Sequence, residues 1–127
     1  MLSPQMQAMA ATETPRKDLK VRTRDFALRI IRLHSSLPRT AVAQVIGGQL
    51  LRSGMSVGAN YREGMRARSH AEYATKLNLS LMELEETLYW LELLEESVLR
   101  NRELNQLKTE SGELSAIFVT LIKRAKQ

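Results

Sequence analysis

Arginine is the residue type through which this sequence could do chemistry. Arg22, Arg29 and Arg32 lie near one side of a first helical segment. Arg52, Arg62 and Arg66 fall within about 80° of one another on a helical wheel of the second, with Arg68 just beyond. A guanidinium is a planar fork that binds phosphate oxygens bidentately, so stripes of this kind suit a phosphate backbone. Residues 1–68 hold 12 Lys/Arg against 4 Asp/Glu, whereas residues 69–127 hold 7 against 10, so the formal +5 is a +8 half joined to a −3 half. Such an excess predicts association with a polyanion, structured RNA or an RNA–protein complex first, through counterion release. It equally fits a protein-partner adaptor in which basic and acidic helices pair within an assembly and no nucleic acid is bound. Tyr61 alone lies in the basic stretch of the second segment as a stacking aromatic, which predicts binding by charge and shape rather than by base sequence.

Other chemistries find little to work with. A di-metal centre in a helical bundle needs two Glu-x-x-His pairs, but the histidines are His34 and His70, and Ile31 and Ala67 stand three residues before them. There is no cysteine, so thiolate sites and disulfides are excluded. Gly47-Gly48 follows neither phosphate-cradling glycine pattern. Glu85, Glu92 and Glu96 share one flank at helical spacing, the mark of a solvated face, while Glu63 sits among arginines where an ion pair is the simpler role. The expectation is therefore no catalytic residue, no metal and no cofactor.

The elements that must position these arginines are helices. With 127 residues, 5% aromatics and three prolines, the chain suits a single all-α domain, read as an N-terminal arm over residues 1–17 and an antiparallel up-down four-helix bundle over 18–127. Phe26, Ile30, Leu33 and Leu37 form the stripe of a first helix from about Asp18 to Ser35. Ser35-Ser36-Leu37-Pro38 breaks it, and a second helix is predicted from Pro38 to about Arg66, with its stop at Gly64 or in the Arg68-Ser69 region. The S-x-x-E form of Ser69 to Glu72 reads as a capping box opening a third helix, striped by Tyr73, Leu77, Leu81, Leu84, Leu88, Leu91 and Val98. A fourth follows Asn101, with Leu104, Leu107, Ser111, Leu114, Phe118 and Leu121 at 3-4-3-4-3 spacing. The uncharged stretch Thr40 to Leu51 spans 12 residues, too short for the roughly 20 that cross a membrane, so a cytoplasmic, membrane-free protein is expected.

Two helices carry more apolar surface than one core can bury. In the second helix Val42, Ile46, Ser53, Val57, Asn60 and Gly64 read as inward, leaving Gly48, Leu51, Met55 and Ala59 on the opposite side. In the third, Leu79, Met82, Tyr89, Trp90 and Leu93 lie away from the main stripe. The interface residues of a homo-oligomer are therefore expected at Leu51, Met55, Leu79, Met82, Trp90 and Leu93. Gly47, Gly48, Gly54 and Gly58, each costing about 1 kcal/mol in a helix interior, imply close approach of a neighbouring helix. Ser53, Ser56 and Asn60 should be hydrogen-bonded in the bundle, with Ser80 or Thr87 as partners.

The runs Gln49-Leu50-Leu51-Arg52-Ser53, Ser56-Val57-Gly58-Ala59-Asn60 and Glu63-Gly64, with Ser69-His70-Ala71-Glu72-Tyr73 and Leu81 to Thr87, resemble the bacterial family of four-helix-bundle proteins encoded in intervening sequences of 23S ribosomal RNA genes. The resemblance covers about Asp25 to Lys123. Arg52, Ser53, Ser56, Asn60, Glu63, Gly64, Glu83 and Thr87 match the family motif, whereas Gly58 and Tyr61 stand where the family more often has aliphatic residues. It implies a pentameric helical barrel and a likeness to the accessory protein of diversity-generating retroelements, which binds nucleic acid and a reverse transcriptase.

Overall fold

The computed structural model describes residues 18–126; the predicted arm over residues 1–17 lies outside them. Four helices follow one another: α1 (Leu19–Ser35), α2 (Ala41–Gly64), α3 (His70–Ser97) and α4 (Arg102–Ala125). No strand occurs among the described residues. Each helix starts at a side-chain cap that accepts an otherwise unpaired backbone N–H. Asp18 accepts from Lys20, Thr40 from Ala43, Ser69 from Glu72 and Asn101 from Leu104, at 2.8–3.2 Å. Losing such a cap typically costs about 1 kcal/mol.

Consecutive helices run antiparallel around one core. Thr23 of α1 lies against Gly58 of α2, Ser53 of α2 bonds Thr87 of α3, and Glu95 of α3 pairs with Lys108 of α4. The ring is closed by ion pairs from α1 to α4. Phe26 and Ile30, Leu50 and Val57, Leu77 and Leu84, and Leu114 and Phe118 are among the apolar side chains that fill the centre. The stripes expected in α1 and α4 are all buried, Ser111 included, whose hydroxyl donates to the Leu107 carbonyl.

The second helix departs from expectation in its start and its rotation. It begins at Ala41, because the Thr40 side chain caps it, and ends at Gly64, so it spans about 36 Å. Its buried face is Ala43, Gly47, Leu50, Ser53, Gly54, Val57, Gly58, Tyr61 and Gly64. Val42, expected inside, is 55% exposed, and Ile46 and Asn60 are half-buried. Apolar periodicity gives glycine no weight, so the expected stripe was drawn toward Val42 and Ile46. In the fold the glycines themselves face α1: a Cβ on Gly47 would meet Leu37, one on Gly54 Ile30 and one on Gly58 Thr23. Close approach thus explains three of the four glycines, while Gly48 has nothing within 4 Å.

In α3, Leu81, Leu88 and Val98 are only half-buried, and Ser80 and Thr87 take inward positions between Leu77, Leu84 and Leu91. Both hydroxyls are satisfied: Ser80 donates to the Val57 carbonyl at 2.8 Å, and Thr87 lies 2.9 Å from the Ser53 hydroxyl and 2.7 Å from the Glu83 carbonyl. Small polar residues here let α2 and α3 pack closely and set their register.

Candidate nucleic-acid interface

The arginines expected to form phosphate-contacting stripes divide into two sets. Arg22 donates to Glu110 in bidentate fashion, from Nε at 2.8 Å and from one terminal nitrogen at 2.7 Å, and the same nitrogen reaches Glu113 at 2.8 Å. The hydrogen bond to Glu110, only partly offset by burial, holds the guanidinium proton more firmly than usual. Arg29 is bound to Glu103 at 3.1 Å. Arg52 spans from α2 to α3, reaching Glu83 at 3.2 Å and Glu86 at 2.7 Å. These three are neutralised within the chain and act as seams between helices. The acids that hold them are Glu83, Glu86, Glu103, Glu110 and Glu113, and the flank of Glu85, Glu92 and Glu96 holds none of them. Glu96 instead pairs with Arg100 on its own chain segment.

Replacing Glu110 with glutamine should weaken the α1–α4 seam by about 1 kcal/mol, since the pair is bidentate and partly shielded from water but still screened. Urea unfolding at low and high salt checks this: the loss should shrink as salt rises, and a loss unaffected by salt would point to packing instead.

Arg32, Arg62 and Arg66 are exposed and make no ion pair among the described residues. Arg68 is 87% exposed and touches Glu72 only at 3.8 Å. Arg66 does not extend a stripe on α2, because the helix has already ended at Gly64 and residues 65–66 form a turn. Tyr61 offers no stacking surface either. It is 1% exposed and meets Phe118 edge to face, with ring centroids 5.9 Å apart. Burial raises its phenol above the usual tyrosine range. Contacts to a nucleic acid through these residues would be made to phosphates.

The remaining motif residues serve the scaffold. Ser53 bonds Thr87 as expected, but Ser56 and Asn60 turn to the flank and donate to the carbonyls of Arg52 and Ser56 in their own helix. Glu63 pairs with Lys76 at 3.0 Å rather than with an arginine. Gly64 admits Tyr73 and the Lys76 stem of α3. Among the described residues no three His, Cys, Asp or Glu side chains are gathered as a metal site would require.

The second apolar face is present but differently populated. Met55 and Met82 are exposed, and Leu51, Leu79, Trp90 and Leu93 are half-buried. Val45, at 69% the most exposed of the large apolar side chains, lies outside the expected interface set, and Val42 is exposed as well. Trp90 lies against Tyr89 at 5.1 Å between centroids, and its indole N–H has no partner among the described residues. No helix among the described residues is long and apolar enough to cross a membrane.

Comparison with known proteins places this arrangement. A family profile described as 23S rRNA-intervening sequence protein matches residues 17–120. A crystal structure of a Bacteroides thetaiotaomicron protein, described as having unknown function and coming from the S23 ribosomal protein family, is similar at 37% identity. Its TM-score is 0.76, and the similarity covers 82% of this chain and 97% of that one. No curated protein matches.

Proposed function

Because the chain belongs to the 23S rRNA-intervening sequence protein family, we propose that it is a non-enzymatic, cytoplasmic, oligomeric four-helix-bundle scaffold that associates with structured RNA through phosphate contacts. The supporting observation is that Arg62 and Arg66 stay exposed without a carboxylate partner among the described residues, although ten glutamates follow them in the chain beyond residue 68. Unpaired guanidinium groups on a rigid scaffold are what a phosphate backbone recruits, and buried aromatics leave the bases unread. The assembly is read as a homo-oligomer, a pentamer by family likeness, in which Val42, Val45, Met55, Met82 and Tyr89 cover one another on neighbouring copies.

A titration of labelled RNA and duplex DNA against the full chain tests this reading. Binding should be clear at about 50 mM salt and fall steeply by about 200 mM. Absence of binding at the lower salt would leave the protein-partner adaptor, which the neutralised Arg22, Arg29 and Arg52 favour. Light scattering addresses the assembly in the same samples: a monomer at micromolar concentration would refute it, and Leu51→Glu with Met55→Glu should dissociate an oligomer.

A further inference from the structure

Resting on the reading as a phosphate-backbone binder, we propose that the polyanion docks end-on, at the end of the bundle where α1 begins and α2 and α4 finish, and not along a helix flank. Three contacts assemble that end: Gly58 with Thr23, Gly64 with Tyr73, and Tyr61 with Phe118. The ends of the four helices that meet there, residues 18–25, 58–76 and 117–126, together with Glu110 and Glu113, which hold Arg22, carry ten Lys/Arg against six Asp/Glu, a net of +4. The rest of the described chain, residues 26–57 and 77–116 without those two glutamates, carries seven against seven, a net of zero. The charge that the sequence divides between its halves is therefore divided in space along the bundle axis.

Lateral pairing produces this outcome. Arg29 and Arg52 are consumed by glutamates of α4 and α3, as is Arg22 near the basic end. Lys20, Arg62, Arg66, Lys123 and Lys126 are exposed and make no ion pair among the described residues, and Arg68 holds only a loose one. Helix dipoles do not account for the asymmetry. Each end of an up-down bundle presents two helix N-termini and two C-termini, so the dipole fields nearly cancel at both. The opposite end also has two C-termini, yet α3 finishes there with no basic residue in its last turn.

The chemistry of this end fits the backbone of folded or duplex RNA better than a lipid surface. Arg62, Arg66 and Arg68 supply planar forks for phosphodiester oxygens. Membrane docking adds apolar anchors to a basic patch, but in the loop between α2 and α3 Ala67 is buried and Met65 half-buried. Tyr61 and Tyr73, the aromatics of this end on α2 and α3, are also buried, so the surface reads charge and shape and not bases.

Fluorescence anisotropy of a labelled RNA hairpin with the full chain tests the proposal, circular dichroism confirming the fold of each variant. The triple variant R62E/R66E/K123E should weaken binding at least about tenfold and reduce the slope of log K against log salt by about 3. The opposite-end variant R32E/R39E should change affinity by less than about threefold, because the ends lie several Debye lengths apart. The charge-conserving R62K/R66K should keep the salt slope but lose part of the affinity, because lysine has no bidentate fork. Equal loss in both charge-reversal variants, or loss confined to R32E/R39E, would overturn end-on docking while leaving phosphate binding intact. No RNA binding by the unmodified chain would instead refute the underlying reading. Phosphatidylserine vesicles bound as tightly as the hairpin, and released by the same triple variant, would overturn RNA as the partner.

Discussion

Replacing Phe118 with alanine should lower the unfolding free energy by about 3–5 kcal/mol, the range for removing a fully buried aromatic side chain. The ring is 0% exposed and lies edge-on to Tyr61, with an interplanar angle of 83°. This contact joins the C-terminal turns of α2 and α4, which are not sequence neighbours, so its loss opens the end at which both helices terminate. Tyr61→Ala should cost a similar amount, and the double variant should reveal a coupling of about 0.5–1.5 kcal/mol beyond area burial. Urea denaturation of the four proteins measures it; additive losses would show that the rings fill space without interacting. The phenol adds a pH signature. Burial raises its pKa in the folded state, so between the ordinary value near 10 and the raised one the unfolded chain gives up a proton that the folded chain keeps. Stability is therefore full below about pH 10 and declines above it. Tyr61→Phe should remove that alkaline contribution and nothing at neutral pH that depends on ionisation.

Two glycine substitutions in one helix should shift stability in opposite directions. A Cβ on Gly54 would stand 2.8 Å from both Cγ1 and Cγ2 of Ile30 and 3.1 Å from its Cβ. Isoleucine is stiff at χ1 and 0% exposed, so it has nowhere to turn, and α1 must move away from α2. Gly54→Ala should destabilise by about 1–3 kcal/mol despite the better helix propensity of alanine. Gly48 lies on the exposed side with nothing within 4 Å of the same built atom, so Gly48→Ala should stabilise by up to about 1 kcal/mol. Thermal unfolding of both variants decides the matter, and equal shifts of the same sign would mean that helix propensity alone governs these positions. In an oligomer, a Gly48→Ala that destabilised would report a neighbouring subunit against that face.

These outcomes turn on features of unequal legibility. Sequence alone predicted the number of helices, their junctions at Ser36 to Pro38 and near Asn101, the cap at Ser69, and the buried faces of α1 and α4. Those features are local: an N-cap hydroxyl reaches a backbone N–H two or three residues on, and a strict 3-4 repeat of leucines can face only one way. The Ser53–Thr87 bond was also within reach, because small polar residues between apolar ones must find partners across the interface. The rotation of α2 was not. Three glycines seat that helix on α1, and what a missing side chain contributes depends on the residue opposite, which only the fold supplies.

The arginines show the same division. Their number, their preference over lysine and their concentration before residue 69 are properties of the chain, and they determined that it would carry a basic surface somewhere. A helical wheel placed Arg22, Arg29 and Arg52 on stripes, but it holds no record of what another helix brings alongside. Tertiary structure set Glu110, Glu103, Glu83 and Glu86 opposite them at 2.7–3.2 Å. It also stopped α2 before Arg66 and turned Tyr61 into the core. Charge is conserved when a chain folds, but its pairing is not written locally, since a Coulomb contact depends on distance in space and these partners stand 31 to 91 residues apart. The sequence by itself thus determined a basic helical bundle, and antiparallel packing decided which of its charges are left to meet a partner.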